Sequence, residues 1–243
     1  MATNVLPSFE ADKLRDYYGF FDDFEAFTNR TRWTCVNTDN GVAACVDARG
    51  GVLRLKAGDA VTADNDEIYL KSKQETFKFA ADKPIRVIFK AAPKTNTTFV
   101  NTNLIFGIMD GVAANSLLDT GGGPDASYSG AVFFKVEASN NVYVESSIAG
   151  TQTTVNTGKS WANGTDAYMA IEYRPDTATT GEVHFFWGSN EEEVGLNTMG
   201  KNWVAHKVTF STATDMQIVM GVKAGGLVSS YVDIDYGGAW SRR

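Results

Sequence analysis

Asp233 and Asp235 stand two residues apart in the segment Tyr231-Val232-Asp233-Ile234-Asp235-Tyr236. On a strand, residues i and i+2 share a face. A glycosidase needs two carboxyl groups flanking the scissile bond, about 5–5.5 Å apart for retention or about 6.5–9.5 Å for inversion. The pair meets that minimum. The simpler reading makes Tyr231, Asp233 and Asp235 the solvated face of a strand whose other face, Val232, Ile234 and Tyr236, is core. Asp64, Asn65, Asp66 and Glu67 are dense enough in oxygen donors to hold a hard cation such as calcium. They also stand where a turn is expected, and a turn accounts for them without a metal. Glu191, Glu192 and Glu193 follow Gly188-Ser189-Asn190 and read as a solvated loop.

The chain has only two histidines. His206 shares a strand face with Val204 and Val208, and His184 with Phe186, so each reads as a packed or hydrogen-bonded strand residue. No Gly-x-Ser-x-Gly elbow, phosphate-cradling Gly-x-x-x-x-Gly-Lys loop or dinucleotide fingerprint occurs. Gly121-Gly122-Gly123 lacks the helix that would make it an anion site. Trp33, Trp161, Trp187, Trp203 and Trp240 would stack on sugars if exposed together, but tryptophans in a β-sandwich more often pack in the core. Asn29-Arg30-Thr31, Asn96-Thr97-Thr98 and Asn163-Gly164-Thr165 match glycosylation acceptors, accidental ones without a secretory route. No catalytic, cofactor-binding or metal-ligating residue is assigned.

These residues need elements to carry them, and the composition says which. Fifteen Phe, nine Tyr, five Trp and 23 Gly stand against only five Pro in 243 residues. Aromatic and β-branched residues suit a pleated, half-buried surface, and Gly supplies the turns. About fourteen apolar or alternating segments, from Trp33–Asn37 to Tyr231–Tyr236, recur without helical crossovers. Parallel strands would need such crossovers, so the pattern predicts an antiparallel sandwich. Leu104–Met109 is continuously apolar, as a strand covered on both faces is. Ala131–Val136, Val142–Ile148 and Thr153–Val155 read as a meander, and Phe77–Ala80 as a further strand. Ser8–Tyr18 is the only stretch read as helix. The longest strandless stretch, Asp110–Ser129, is either a functional excursion over the sandwich or a mobile loop. Asp39-Asn40-Gly41 reads as a three-residue hairpin loop that sets Cys35 opposite Cys45. They would bridge if oxidised; two packed thiols in a reducing compartment is the preferred reading. Residues 1–18 are expected to form an N-terminal arm and 19–243 one sandwich domain.

The formal net charge is −7. Arg242 and Arg243 are too short a basic run to displace phosphate counterions, so no nucleic-acid partner is expected. Adsorption to anionic lipid is disfavoured for the same reason. No signal peptide or membrane-spanning run is visible, which predicts folding in a cytoplasm.

Phe20-Phe21-Asp22-Asp23-Phe24, Trp33 and Gly50-Gly51-Val52-Leu53-Arg54-Leu55 resemble the opening of concanavalin A-like (laminin-G-like) jelly-roll domains. Asp64–Leu70, Phe77-Lys78-Phe79, Lys83-Pro84-Ile85 and the closing Tyr231–Tyr236 strand continue the likeness over roughly residues 20–240. The resemblance implies a two-sheet jelly roll. The Glu-x-Asp-x-(x)-Glu run of laminarinase-like glycosidases and the Gln-x-His strand of alginate-lyase members are missing, which points away from an enzyme. Leaderless, acidic versions of this sandwich resemble the structural proteins of tailed-bacteriophage virions. The resemblance therefore implies a non-enzymatic capsid decoration or head-associated protein of the virion. It would contact the major capsid protein, other virion proteins or further copies of itself, with residues 1–18 as an anchoring arm. The alternative is a carbohydrate-binding module presenting exposed aromatics to surface glycans. A glycoside hydrolase or polysaccharide lyase using Asp233 and Asp235 comes third.

Overall fold

Alternating apolar positions create strands that can bury one face only against a second sheet, and that requirement sets the architecture. A computed structural model describes residues 17–27, 31–38, 40–46, 50–58, 63–95, 99–194, 204–210, 214–227 and 229–242. Among them are fifteen strands: β1 (Tyr17–Asp22), β2 (Trp33–Asn37), β3 (Val42–Val46), β4 (Val52–Lys56), β5 (Glu67–Ser72), β6 (Ile85–Thr95), β7 (Thr102–Met109) and β8 (Gly130–Lys135). There follow β9 (Asn141–Ile148), β10 (Thr151–Ser160), β11 (Ala167–Pro175), β12 (Thr180–Gly188), β13 (Val204–Thr209), β14 (Gln217–Ala224) and β15 (Ser230–Arg242), with one helical turn, α1 (Glu191–Val194), between β12 and β13. The first sheet runs β13-β12-β11-β6-β15-β4-β3, with β1 also on β15, and the second runs β10-β9-β8-β7-β14-β5-β2. All pairings are antiparallel.

The core lies between the sheets. Ile85, Val87 and Phe89 of β6 face Leu104, Phe106 and Ile108 of β7 and Ile218, Met220 and Val222 of β14. Phe89 meets Phe106 edge to face at 5.7 Å, and Phe133 meets Phe185 at 5.4 Å, so aromatic pairs bridge the two layers. All eight residues of β7 are buried, as its continuous apolar run requires. Its outer face is roofed by residues 110–129, where Val112, Leu117 and Tyr128 pack on Tyr69, Ile105, Val132 and Val219. The expected meander is present as β8-β9-β10.

Several expectations are corrected. The segment 33–46 is not a hairpin. β2 pairs with β5 in the second sheet and β3 with β4 in the first, so the turn at Asn40 (φ 62°) and Gly41 arches between sheets. Cys35 and Cys45 are therefore not cross-strand neighbours, and no disulfide joins them. Tyr17 and Tyr18, read as the end of a helix, open β1 on β15; residues 1–16 of that expected helix and arm lie outside the described residues. Phe77–Ala80 makes only one bridge, Phe77 to Met216. Glu191–Val194 is a helical turn rather than a loop, closed by Glu193 N–H donating to Asn190 Oδ1 (3.1 Å) and Ser189 N–H donating to Glu193 Oε2 (2.7 Å). Among the described residues no helix is long and apolar enough to cross a membrane.

Candidate functional site

β15 is an interior strand of the first sheet, between β6 and β4, and a register shift between Ile234 and Tyr236 interrupts it. A bulge re-aims the side chains that follow. Val232, Ile234 and Ala239 lie in the core, but Tyr236 turns to the outer face, where its ring lies 5.5 Å from that of Phe21. The expectation that Tyr236 belongs to the core fails for that reason. Before the bulge, Asp233 faces outward yet is only 6% exposed. Arg54 on β4 grips it, Nε donating to Oδ1 (2.6 Å) and Nη2 to Oδ2 (2.9 Å). Lys94 on β6 donates to Oδ2 at 2.7 Å from the other side. Lys90 donates to Asp235 Oδ2 (2.5 Å) and lies 3.4 Å from Asp166.

Arg54, Lys94, Asp166, Asp233 and Asp235 line a shallow cleft of ≈ 300 Å³ on the outer face of the first sheet, with Val46, Val52 and Ala92 as its apolar wall. Two tyrosines border it: the Arg54 guanidinium sits 4.5 Å over the Tyr231 ring and the Lys90 ammonium 5.5 Å over Tyr168. Burial by itself would raise the Asp233 carboxyl, but the hydrogen bonds from Arg54 and Lys94 outweigh it and hold the group below the ordinary aspartate range. Burial lowers Lys90, and its contacts with Asp235 and Asp166 outweigh that, so its ammonium is held charged. The cleft thus offers fixed N–H donors, carboxylate acceptors and aromatic edges without an excess of either charge. It can recognise hydroxyl-rich ligands. A general acid must carry a proton to give, and Asp233 is held ionised.

Sequence reasoning singled out Tyr231, Asp233 and Asp235 but missed Arg54, Lys90, Lys94 and Tyr168. Arg54 alternates with Leu53 and Leu55, and Lys90 with Phe89 and Ala91, so their outward direction was readable. Their meeting was not, because Arg54 and Lys94 lie 179 and 139 residues from Asp233.

The other sequence candidates are dispersed. Asn65 takes a left-handed φ of 71°, Asp66 Oδ2 accepts from Ala63 N–H at 2.7 Å, and the run is a turn. Glu67 points to the outer face of the second sheet, 1% exposed. There its carboxylate accepts from Asn115 N–H and Tyr69 O–H, both at 2.8 Å. Among the described residues, no three His, Cys, Asp or Glu gather as metal ligands. His206 sits inside the sandwich, Nδ1 2.9 Å from Ser146 Oγ, and its ring meets Phe185 at 5.2 Å. His184 lies on the outer face, 3.0 Å from Glu182 Oε2. Burial lowers both imidazoles; for His184 the neighbouring Arg174 adds to it and Glu182 opposes. Trp33 and Trp161 are core residues and Trp187 packs against Trp161 at 4.6 Å. Trp240 alone stands on the outer face beside β1; Trp203, like Asn29 and Asn96, lies outside the described residues. Asn163 is engaged by Thr95 through Oδ1 (3.0 Å) and Nδ2 (3.3 Å).

The outer face of the second sheet holds a further set of buried polar groups under residues 110–129. Lys223, fully buried, donates to Asn115 Oδ1 (2.8 Å) and Leu117 O (2.9 Å), pairs with Asp119, and lies 3.4 Å from Glu67. Glu145 accepts from Tyr128 O–H and Gln152 Nε2, both at 2.9 Å, and from Thr154. Burial raises its carboxyl despite those bonds. The segment 110–129 is thus an excursion packed on the second sheet and hydrogen-bonded to it.

No protein-family model matches the chain, and no curated protein matches it. Solved structures do. An endo-β-1,4-glucuronan lyase from Trichoderma reesei is similar at 12% identity and TM-score 0.60, over 90% of this chain and 94% of that one. A protein of unknown function from Shewanella oneidensis MR-1 is similar at 13% identity and TM-score 0.57, over 100% and 97%. Arcelin-5, a lectin-like defence protein from Phaseolus vulgaris, is similar at 12% and 0.56, over 94% and 99%. At such identities the likeness establishes the architecture alone, a concanavalin A-like jelly-roll sandwich of two antiparallel sheets, as the sequence resemblance implied.

Proposed function

We propose that the protein is a carbohydrate-binding module and that the cleft on the outer face of the first sheet receives the glycan. The observation that carries this reading is the buried Asp233 held by Arg54 and Lys94 beside Tyr231. Sugar hydroxyls both donate and accept, so they are matched by a rigid set of guanidinium and ammonium donors next to carboxylate acceptors. Glycan recognition is preferred to capsid decoration because the similar solved structures include lectins and carbohydrate-active enzymes. Binding is preferred to turnover because Asp233 and Asp235 are each committed to a cation.

A glycan array tests the proposal. The protein is expected to retain a subset of glycans, and Arg54→Ala to abolish that retention while keeping a cooperative thermal transition. Silence across the array overturns it.

A further inference from the structure

We infer that the ligand is an extended, uncharged polysaccharide chain lying lengthwise along β15, from the cleft at Tyr231 to an aromatic platform made by Phe21, Tyr236 and Trp240. The inference rests on the glycan-binding reading above and adds the ligand's length, direction and charge.

The platform follows from the bulge. Beyond it the outward positions of β15 are Tyr236, Gly238 and Trp240, and those of β1 are Tyr17, Gly19 and Phe21, with Gly19 opposite Trp240 and Phe21 opposite Gly238. Each pair sets an aromatic residue across from a glycine. A Cβ at Gly238 would lie 3.1 Å from Phe21 Cδ2, so the Phe21 ring rests over the bare backbone, beside Tyr236. The result is a low apolar surface rather than a ridge. Tyr17 and Phe21 are 40% and 38% exposed, whereas most aromatics among the described residues are buried. Aromatic faces are electron-rich, and the C–H face of a pyranose ring is a suitable partner for them.

Continuity with the cleft sets the direction. Asp235 lines the cleft, the next residue, Tyr236, belongs to the platform, and Lys90 pairs with Tyr236 in the ladder. Nine residues separate Tyr231 from Trp240, about 30 Å at roughly 3.3 Å per residue, which leaves room for several consecutive sugar rings. A chain of sugars presents C–H faces and hydroxyl edges together, so it satisfies platform and cleft at once. A protein segment apolar enough for the platform would leave the charged cleft unfilled.

Charge compensation sets the ligand's charge. The three cations Arg54, Lys94 and Lys90 are matched by the three carboxylates Asp233, Asp235 and Asp166, so the cleft is neutral as a whole. A polyanion would find no net positive charge there and would meet the Asp235 and Asp166 carboxylates.

The experiment is calorimetric titration of the protein with cellohexaose, xylohexaose and mannohexaose, each beside its disaccharide, and with polyglucuronate. At least one hexasaccharide is expected to bind about tenfold or more tightly than its disaccharide, the loss of one good stacking contact being of that order. Polyglucuronate is expected not to bind. Phe21→Ala, a truncation on the outer side of β1, is expected to bring the hexasaccharide down towards the disaccharide value while keeping a cooperative thermal transition; Phe21→Tyr is expected to retain the hexasaccharide affinity. Equal affinities for both lengths, a preference for polyglucuronate, an unaffected Phe21→Ala, or silence of all three hexasaccharides overturns the inference. In those cases the glycan array still decides the binding reading separately, since it fails only if no glycan is retained.

Discussion

Replacing Lys223 by Met should detach the 110–129 excursion from the second sheet. The methionine fills similar volume but donates no hydrogen bond. Lys223 is fully buried and serves Asn115 Oδ1, Leu117 O and Asp119, with Glu67 at 3.4 Å. Its loss leaves a 1% exposed carboxylate at Glu67 without a cation. Removing one partner of a buried pair costs about 3–5 kcal/mol. The lower end applies, because Glu67 keeps its bonds from Asn115 N–H and Tyr69 O–H and Asp119 is half exposed. At about 2–4 °C per kcal/mol for a chain of this size, Tm should fall by roughly 6–12 °C. Calorimetry gives that shift. Hydrogen exchange at the Asn115 and Leu117 amides, which donate to Glu67 and Tyr69, should accelerate more than exchange in β7. Adding Glu67→Gln removes the stranded charge and should recover part of the loss. A Tm within about 2 °C of the parent, or a double variant no more stable than Lys223→Met, would refute the latch and the charge reasoning behind it.

Acid should loosen the sandwich through His206: burial lowers its imidazole, so the unfolded chain binds the proton more readily. Stability is then full above the ordinary histidine range and declines as pH falls through it; His206→Phe should flatten the dependence of Tm on pH between 7 and 5, and an unchanged slope would count against this. Gly221 makes room for Tyr69, since a Cβ there would lie 2.3 Å from Tyr69 Cδ1. Gly221→Ala should therefore cost about 1–3 kcal/mol by overpacking and speed exchange at the Leu117 amide, whose N–H donates to the Tyr69 hydroxyl oxygen; a neutral substitution would show that the ring shifts freely.

The strands were legible because alternation of apolar and polar side chains is a local property. Ile85, Val87 and Phe89 alternate with Arg86, Ile88 and Lys90, and that parity alone decides which residues enter the core. The continuous run at β7 likewise announced a strand covered on both faces. Alternation of this kind announced an antiparallel sandwich; the concanavalin A-like class came from the resemblance of particular segments, such as Phe20–Phe24 and Tyr231–Tyr236, to that family.

Sheet membership was not local. The residues around Asn40 and Gly41 suit a hairpin and an arch equally well, and only the competition of β5 for β2 and of β4 for β3 chose the arch and parted Cys35 from Cys45. The bulge at Asp235 reversed the facing of Tyr236, because one extra residue in a ladder shifts every later side chain to the opposite side. The candidate site depends most on this. The sequence by itself determined that Asp233 lies on an outward strand face beside Tyr231. Only the tertiary structure decided that this face would be charge-compensated and buried, by bringing Arg54 and Lys94 to it from strands remote in the chain. The electrostatic character of a carboxylate is set by the cations within a few ångströms of it in space, and no pattern along the chain records that distance.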